Sequence, residues 1–391
     1  MSKLQFFKKP IVILGVICFL AVLIVTLQGA LHGTKTYEEG GIEYTKYNNY
    51  VIFKQSYFHL IENKDLYQLY PQEHWDLYKY SPTFSLLMGL LAYLPDFIGL
   101  LIWNLLNAFV LFFALWKLPF SSDKKRIWAF LFLVIELVTS LQNAQSNGLM
   151  AGLIILAFVY LEKKNIALAT LCIVATIFIK LFGIVAFALF LFYPNKLKSA
   201  LYTLGWILLL AVLPLILISP EQLTFLYKSW GNLLQNDHSI SIGFSVSGWL
   251  FTWFGLNLKT VSLVVGTFLF CVPFIHYKYF NEVRFKLLYL ASILLWIVIF
   301  NHKAESPTFV IAVTGVAIWF FTQEFNKLNF SFLILALLFT VLAATDLFPK
   351  FIRDDYFIPY VVKAVPCIFI WGKITWELIF YSKNKLTISN N

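Results

Sequence analysis

The chain has 391 residues, 60% of them hydrophobic and 19% aromatic, and a formal net charge of +10. A water-soluble domain of this length needs far more polar surface than such a composition supplies. Runs of about 20 apolar residues recur from end to end, the length that crosses a hydrocarbon core, so the solvent implied is lipid. The positive charge does not imply nucleic acid, because Lys and Arg lie in short connections between apolar runs, where they orient a chain in a membrane. Cys18, Cys172, Cys271 and Cys367 all sit inside apolar runs and form no CxxC pair, which supports neither a disulfide nor a metal site.

The first apolar run, Pro10 to Leu31, follows the basic stretch Met1–Lys9. It is too long for a signal-peptide core and shows no small-x-small cleavage site, so it reads as a retained transmembrane helix. A long aromatic first extracytoplasmic loop, 31–81, follows. Within it, Tyr50 to Ile61 carries apolar residues at helical spacing and predicts an amphipathic helix lying on the membrane surface. Between Ser81 and Leu118 two apolar runs flank Leu94-Pro95-Asp96, yet the flanking charges want one crossing; Pro82–Tyr93 is expected to be half-buried or re-entrant and Phe97–Leu118 a full span.

Basic connections recur at Lys117–Arg126, Glu162–Lys164, Lys196–Lys198, Lys278–Lys286, Lys327 and the tail Lys383–Lys385. Taken as cytoplasmic, they pair Ile127–Ser140 with Gly148–Leu161 and Ala167–Ile179 with Leu181–Tyr193. Leu201–Ile218 then rises to a second long outer loop, 219–247. Gly248–Gly255 is too short to cross and is expected at the interface. Ser262–His276, Leu288–Phe300, Thr308–Phe321, Phe330–Ala344 and Ile358–Ile379 complete the count. The expected fold is all-α and polytopic, with about twelve transmembrane helices, both termini cytoplasmic and one membrane domain over 1–391. No repeat of 20–50 residues is visible, so solenoid architectures are excluded.

Three expected outer-face clusters carry polar chemistry. The first contains Asn48-Asn49-Tyr50, Asn63-Lys64-Asp65 and Asp76 through Pro82. The second joins the turn Gln142–Asn147 to Lys180. The third is Asn301-His302-Lys303-Ala304-Glu305-Ser306-Pro307. Lys180 interrupts an apolar sequence, where an ammonium is costly unless it meets an anion or water; a lipid-linked phosphate at headgroup level is such an anion, and a turn lysine snorkelling to the interface is the plainer alternative. Gln142, Gln145 and Asn147 offer amides that suit sugar hydroxyls as donors and acceptors, or that cap helix ends. Glu136 lies below them in an apolar helix, suited equally to a structural hydrogen bond or a direct role. His302, Lys303 and Glu305 place a base, a cation and an acid in one turn, fit for acid–base work or simply a solvated loop. Asp76 is a candidate general base beside Lys79.

The chain is similar to bacterial GT-C glycosyltransferases of family 87, the polyprenol-phosphate-mannose-dependent mannosyltransferases. The similarity is carried by Asn49 with Leu60 through Tyr67, by Tyr78-Lys79-Tyr80-Ser81-Pro82 and the following Leu94-Pro95 and Trp103-Asn104, by Gln142–Asn147, and by Ala175-Thr176 leading to Lys180. Asn236-Asp237-His238-Ser239 resembles an Asn-Gln-Ser-like site in the second long loop. This resemblance implies inverting transfer of a hexose from a polyprenyl-phosphate-linked sugar to a lipid or glycan acceptor at the outer face of the bacterial plasma membrane. It implies Lys180 at the donor phosphate, and Gln142, Gln145, Asn147, Tyr78, Tyr80 and Asn236 at the sugar or acceptor; from the charges of their own turn, Lys303 is a further candidate for the phosphate and His302 for the sugar or acceptor. The implied partners are membrane lipids, the donor and the acceptor, with no nucleic acid, no cofactor and no metal. The family's base, an aspartate, falls here on Asn49, whose amide cannot take a proton as a carboxylate does. Glu43, Asp76 and Glu305 are the candidate substitutes, with Asp76 preferred because it adjoins Tyr78–Pro82. A lipid or glycan transporter and a catalytically altered family member are the competing readings; paired repeats with midplane charges would favour transport, and the two halves of this chain do not resemble each other.

Overall fold

A computed structural model describes residues 9–37, 41–236 and 243–382. Helices dominate, and the only strands among the described residues are Thr34–Thr36 (β1) and Glu43–Thr45 (β2). They pair antiparallel in the expected first loop, a ribbon the apolar pattern does not announce. The chain divides into two compact units, one of 1–190 with 195–240 and one of 191–194 with 241–391. Among the described residues four helices are long and apolar enough to cross a membrane: Pro10–Leu31, Asp96–Lys117, Lys196–Ile216 and Lys259–Tyr279. A fifth is obtained if the bent pair Lys350–Phe357 and Val362–Ile379 counts as one span. The chain is an α-helical membrane protein.

In the first unit, α1 (Pro10–Leu31) begins with proline at its first position, where the missing N–H costs nothing. It buries one stripe, Leu14, Cys18, Val22 and Val25, and exposes Ile13, Val16, Ile17, Leu20 and Ile24. Such a surface calls for an apolar environment, which hydrocarbon supplies. The predicted surface helix is α2 (Asn48–Ile61). Tyr50, Phe53 and Leu60 on it are wholly buried, and it packs closely on α3 (Pro82–Ala92). Half of its residues are buried and the others are partly accessible.

The helix expected as a full span is α4 (Asp96–Lys117), preceded by the short α3. Next come α5 (Asp123–Gln142) and α6 (Asn147–Glu162), the predicted hairpin. α6 is apolar on all sides and accordingly buried on all sides. Its Gly148 and Gly152 form a small-xxx-small pair against α4. A Cβ on Gly152 would lie 2.8 Å from the Leu111 nitrogen and the Val110 carbonyl carbon, and one on Gly148 3.0 Å from the Asn107 carbonyl oxygen. Glycine is what lets these two backbones touch.

α7 (Ile166–Ile179) is capped by Asn165, whose Oδ1 accepts from the Leu168 N–H. It ends at Lys180, which is extended at φ −140°. Leu181–Phe192 then continues as a 3₁₀ helix; its rise of about 2.0 Å per residue carries the chain further than an α-helix of equal length. α8 starts at Lys196 and runs to Val212. The span Lys196–Ile216 is only 11% buried.

The described part of the second long loop, 219–236 and 243–247, is largely helical. α9 (Pro220–Asn236) is amphipathic, buries Leu223 and Leu226, and covers the first loop. Its Ser229 Oγ donates to Asp65 at 2.8 Å, Trp230 Nε1 to the Lys79 carbonyl at 3.2 Å and Gln222 Nε2 to the Lys64 carbonyl at 3.3 Å. Weak hydropathy hid this helix, because half of its face is built for loop polar groups.

The second unit centres on α12 (Val283–Ile299) and α13 (Phe309–Phe321), which are buried almost throughout. Around them lie α10 (Val246–Phe254), α11 (Lys259–Cys271), α14 (Lys327–Ala336) and α15 (Val365–Ile379). The predicted segment Ile358–Ile379 is helical from Val362 to Ile379, and an 82° bend at 358–361 separates it from Lys350–Phe357. Val361 at the bend has φ 54°, a conformation that strongly disfavours a β-branched residue.

Replacing Gly152 by Leu should lower thermal stability in detergent by about 1–3 kcal/mol, whereas Gly231→Ala, with nothing within 4 Å of its added Cβ, should not destabilise. Equal melting temperatures for wild type and Gly152→Leu would refute the close α4–α6 contact.

Candidate functional site

The first unit gathers residues from four segments that are distant in sequence. The turn 143–146 between α5 and α6 is tight, with Ala144 at φ 48° and wholly buried. Trp103 Nε1 on α4 donates to the Ala144 carbonyl at 2.9 Å. Asn107, one turn further along α4, accepts the Leu149 N–H on its Oδ1 at 3.0 Å, taking one of the free N–H groups that begin α6. These links present Gln145 and Asn147, both buried, to Lys180. The Lys180 ammonium donates to Asn147 Oδ1 at 2.8 Å and to Gln145 Oε1 at 3.3 Å, and Asn147 Nδ2 donates to Gln145 Oε1 at 2.7 Å. The two amides expected at a sugar therefore both accept from the lysine.

Lys180 is half-buried, with its Nζ 5.9 Å from the Tyr80 ring centre and 5.8 Å from that of Phe182. Tyr80 arrives there through Ser81, whose hydroxyl donates at 2.6 Å to the Phe178 carbonyl near the end of α7. Tyr80 stacks on Phe84 at 4.8 Å and meets Phe53 edge-on. Tyr78 does not line this site. It is 2% exposed and its hydroxyl donates to the Ser81 carbonyl, so it belongs to the core that shapes the turn.

Asn49 lies at the start of α2 and its Nδ2 donates to the Asn143 carbonyl at 2.9 Å, joining the first loop to the same turn. Its neighbour Asn48 grips Trp75 twice, accepting from its N–H at 2.9 Å and donating to its carbonyl at 2.8 Å. Asp76 follows Trp75 with φ 72°. Its carboxylate accepts from the Leu77 N–H at 2.7 Å and meets Lys79 at 2.9 Å, while its side chain is 51% exposed. Of the other candidate bases, Glu43 accepts a hydrogen bond from Thr34 within the β-ribbon. Gln142 turns away from Lys180, with its amide 3.3 Å from Gln28 on α1. Asn236 is exposed at the end of α9; Asp237, His238 and Ser239 lie outside the described residues. Glu136 is wholly buried on α5.

Behind Asp76 stands a histidine pair that hydropathy does not reveal. His74 is 3% exposed, and its Nδ1 lies 3.1 Å from the Asp76 carbonyl. A carbonyl only accepts, so Nδ1 carries the hydrogen. His59 on α2 is equally buried and stands 2.9 Å from Glu73. Burial holds both imidazoles below their ordinary range, and in His59 it does so against the opposing pull of Glu73.

In the second unit, His302, Lys303 and Glu305 share the turn after α12. Asn301 Oδ1 accepts the Lys303 N–H at 3.0 Å, and the Ala304 carbonyl accepts from Phe244 at 2.9 Å. Gly243, at φ 52°, packs so close that a Cβ would overlap the His302 carbonyl. His302 lines a cavity of about 170 Å³ together with Lys259, Thr260, Ser262 and Ser247. Sequence reading missed Lys363, which is 3% exposed and donates to Ser306 at 2.8 Å. The argument that singled out Lys180, a cation inside an apolar run, applies to it equally.

At this helix break the first unit thus brings together two buried amides, a half-buried ammonium and an aromatic ring. The family model described as glycosyltransferase family 87 matches residues 78–345, more than half of the chain, and the chain belongs to that family. It is a glycosyltransferase. No curated protein matches it. The matched region includes the 142–147 turn, Lys180 and the 301–307 turn; it begins two residues after Asp76.

Because His59 and His74 titrate below the unfolded value of 6.5, the unfolded chain binds protons first as pH falls. The stability they contribute is complete above about pH 6.5 and is lost as pH drops through their lower folded values. Melting temperatures should therefore fall between about pH 7 and about pH 5, and fall less in His59→Gln/His74→Gln. An identical slope in the double variant would rule out the pair as its source.

Proposed function

We propose that the protein is a GT-C-type hexosyltransferase, moving mannose from a polyprenyl-phosphate-linked donor to a lipid or glycan acceptor at the extracytoplasmic face of the bacterial plasma membrane. The observation that carries this reading is the Lys180 ammonium, aimed by two buried amides at the end of an apolar helix. A phosphate anchored in the membrane by its own lipid meets that cation without either partner leaving the headgroup level. Asp76 acts as the base. It takes the proton of an acceptor hydroxyl, the oxygen bonds to the anomeric carbon, and the bond from that carbon to the phosphate oxygen breaks. The electron pair leaves with polyprenyl phosphate, whose growing charge Lys180 stabilises. Attack opposite the leaving group inverts the anomeric centre.

The left-handed Asp76 supports its role. Asn48 and His74 hold the backbone on either side of it, and strain of this kind persists where the surroundings over-determine a side chain's direction. Tyr80 offers a ring face for the sugar beside Lys180. About twelve crossings, with both termini cytoplasmic, complete the topology, the shorter apolar helices supplying those beyond the long spans.

Purified protein in lipid, given radiolabelled polyprenyl-phosphate-mannose and cell extract, should form a labelled product. Lys180→Ala should reduce its rate by about 10²-fold or more, and Asp76→Asn by about 10²–10⁴-fold. Transfer undiminished in both variants would remove these assignments, and donor crossing the bilayer without any labelled product would favour transport. Reporter fusions should put the 142–147 turn outside the cytosol; a cytosolic signal would overturn the orientation.

A further inference from the structure

One face of α8 carries a groove that the transfer reading does not use. Lys198, Leu201, Tyr202, Gly205, Trp206 and Leu209 line about 570 Å³ of open space. Their spacing of three and four residues puts them on a single helical stripe. Gly205 is the floor, with nothing within 4 Å of where a Cβ would stand. Trp206 is fixed as one wall because its Nε1 donates to the Ala167 carbonyl at 3.0 Å. Leu201 and Leu209 are 61% and 48% exposed. The cation lies at one end only, where Lys198 sits 5.9 Å from the Tyr202 ring centre.

We infer that this groove binds one anionic phospholipid, with its phosphate at Lys198 and an acyl chain along the notch above Gly205. Length supports a lipid of one leaflet. From Lys198 to Leu209 a helix rises about 16 Å, roughly half of a ~30 Å hydrocarbon core. Charge supports an anionic headgroup, since the single cation stands where a headgroup would lie and the rest of the groove is apolar or aromatic. An isoprenoid tail alone would leave Lys198 facing no anion. Tyr202 and Trp206 add amphipathic rings of the kind that favour the boundary between hydrocarbon and headgroups.

The test is lipid retention by the full-length protein in nanodiscs and by native mass spectrometry, with phosphatidylglycerol and phosphatidylcholine as probes. Wild type should hold one phosphatidylglycerol about fivefold more tightly than phosphatidylcholine. Lys198→Glu should abolish the preference, and Gly205→Leu, which fills the notch on an open surface, should weaken retention of both lipids. Unchanged melting temperatures will show that both variants fold. Equal retention of the two lipids by wild type, or a preference surviving Lys198→Glu, would overturn the proposal. So would displacement of the bound lipid by polyprenyl phosphate, which would assign the groove to the donor. Sugar transfer is read separately, so a failed donor assignment and a failed lipid site are distinguishable.

Discussion

The helix α7 stops inside apolar sequence, and the backbone carbonyls released there need donors that hydrocarbon cannot supply. Ser81 answers that need at Phe178, with its hydroxyl at 2.6 Å and its N–H at 3.4 Å. That one requirement organises much of the first unit. To reach Phe178 the first loop must come to the end of α7, which brings Tyr80 beside Lys180. Ser81 is also the cap of α3, accepting the Phe84 N–H at 3.1 Å, so the same residue begins one helix and closes another. Thr83 extends the seam by donating to the Leu210 carbonyl at 2.6 Å. A break that would be a defect in a plain span thus becomes the junction of three segments.

The lysine at this break is stable for a related reason. An ammonium at the edge of hydrocarbon costs several kcal/mol unless polar groups receive it, and Gln145 and Asn147 do so only because the turn before α6 is held rigid. Ala144 accepts a backbone conformation unfavourable for alanine, secured through Trp103. Asn107 satisfies an N–H at the start of α6. Gly148 and Gly152 then let α6 lie on α4 closely enough for those hydrogen bonds to form. Packing, capping and charge placement are therefore coupled: loosening the α4–α6 contact would move the amides, and the lysine with them.

How much of this was legible in the sequence depends on whether the signal is local. Lys180 was legible because one charge in an apolar run is conspicuous, and the α5–α6 hairpin because basic connections flank it. The helical character of Tyr50–Ile61 was legible from spacing, but its placement was not: periodicity shows an apolar face without saying whether lipid or protein covers it, and here α3 does. α9 stayed hidden since its polar face pairs with Asp65 and Lys79, more than 100 residues away. Tyr78, which the family resemblance places at the sugar or acceptor, is buried in the fold; an aromatic loop residue gives no sign of its burial in sequence. The role of Asn48 is a contact across 27 residues, which no single-chain pattern encodes.

Lys363 extends the same physics to the second unit. It follows a helix break at Val361, as Lys180 follows the end of α7, and the carbonyl of Lys363 itself is taken by the Thr340 hydroxyl at 2.8 Å. Its ammonium meets Ser306 and lies 5.4 Å from the Phe309 ring centre. In both units, then, a serine or threonine hydroxyl from a distant segment closes the broken backbone, and a lysine at the break reaches side-chain oxygens across a turn. The recurrence has a physical origin. Breaking an apolar helix exposes carbonyls that draw hydroxyls, and the gap leaves room for a long cation whose stem stays in hydrocarbon while its head finds oxygen. Helix breaks are thus one kind of place where a chain this apolar can hold a charge, beside the loops that carry Asp76.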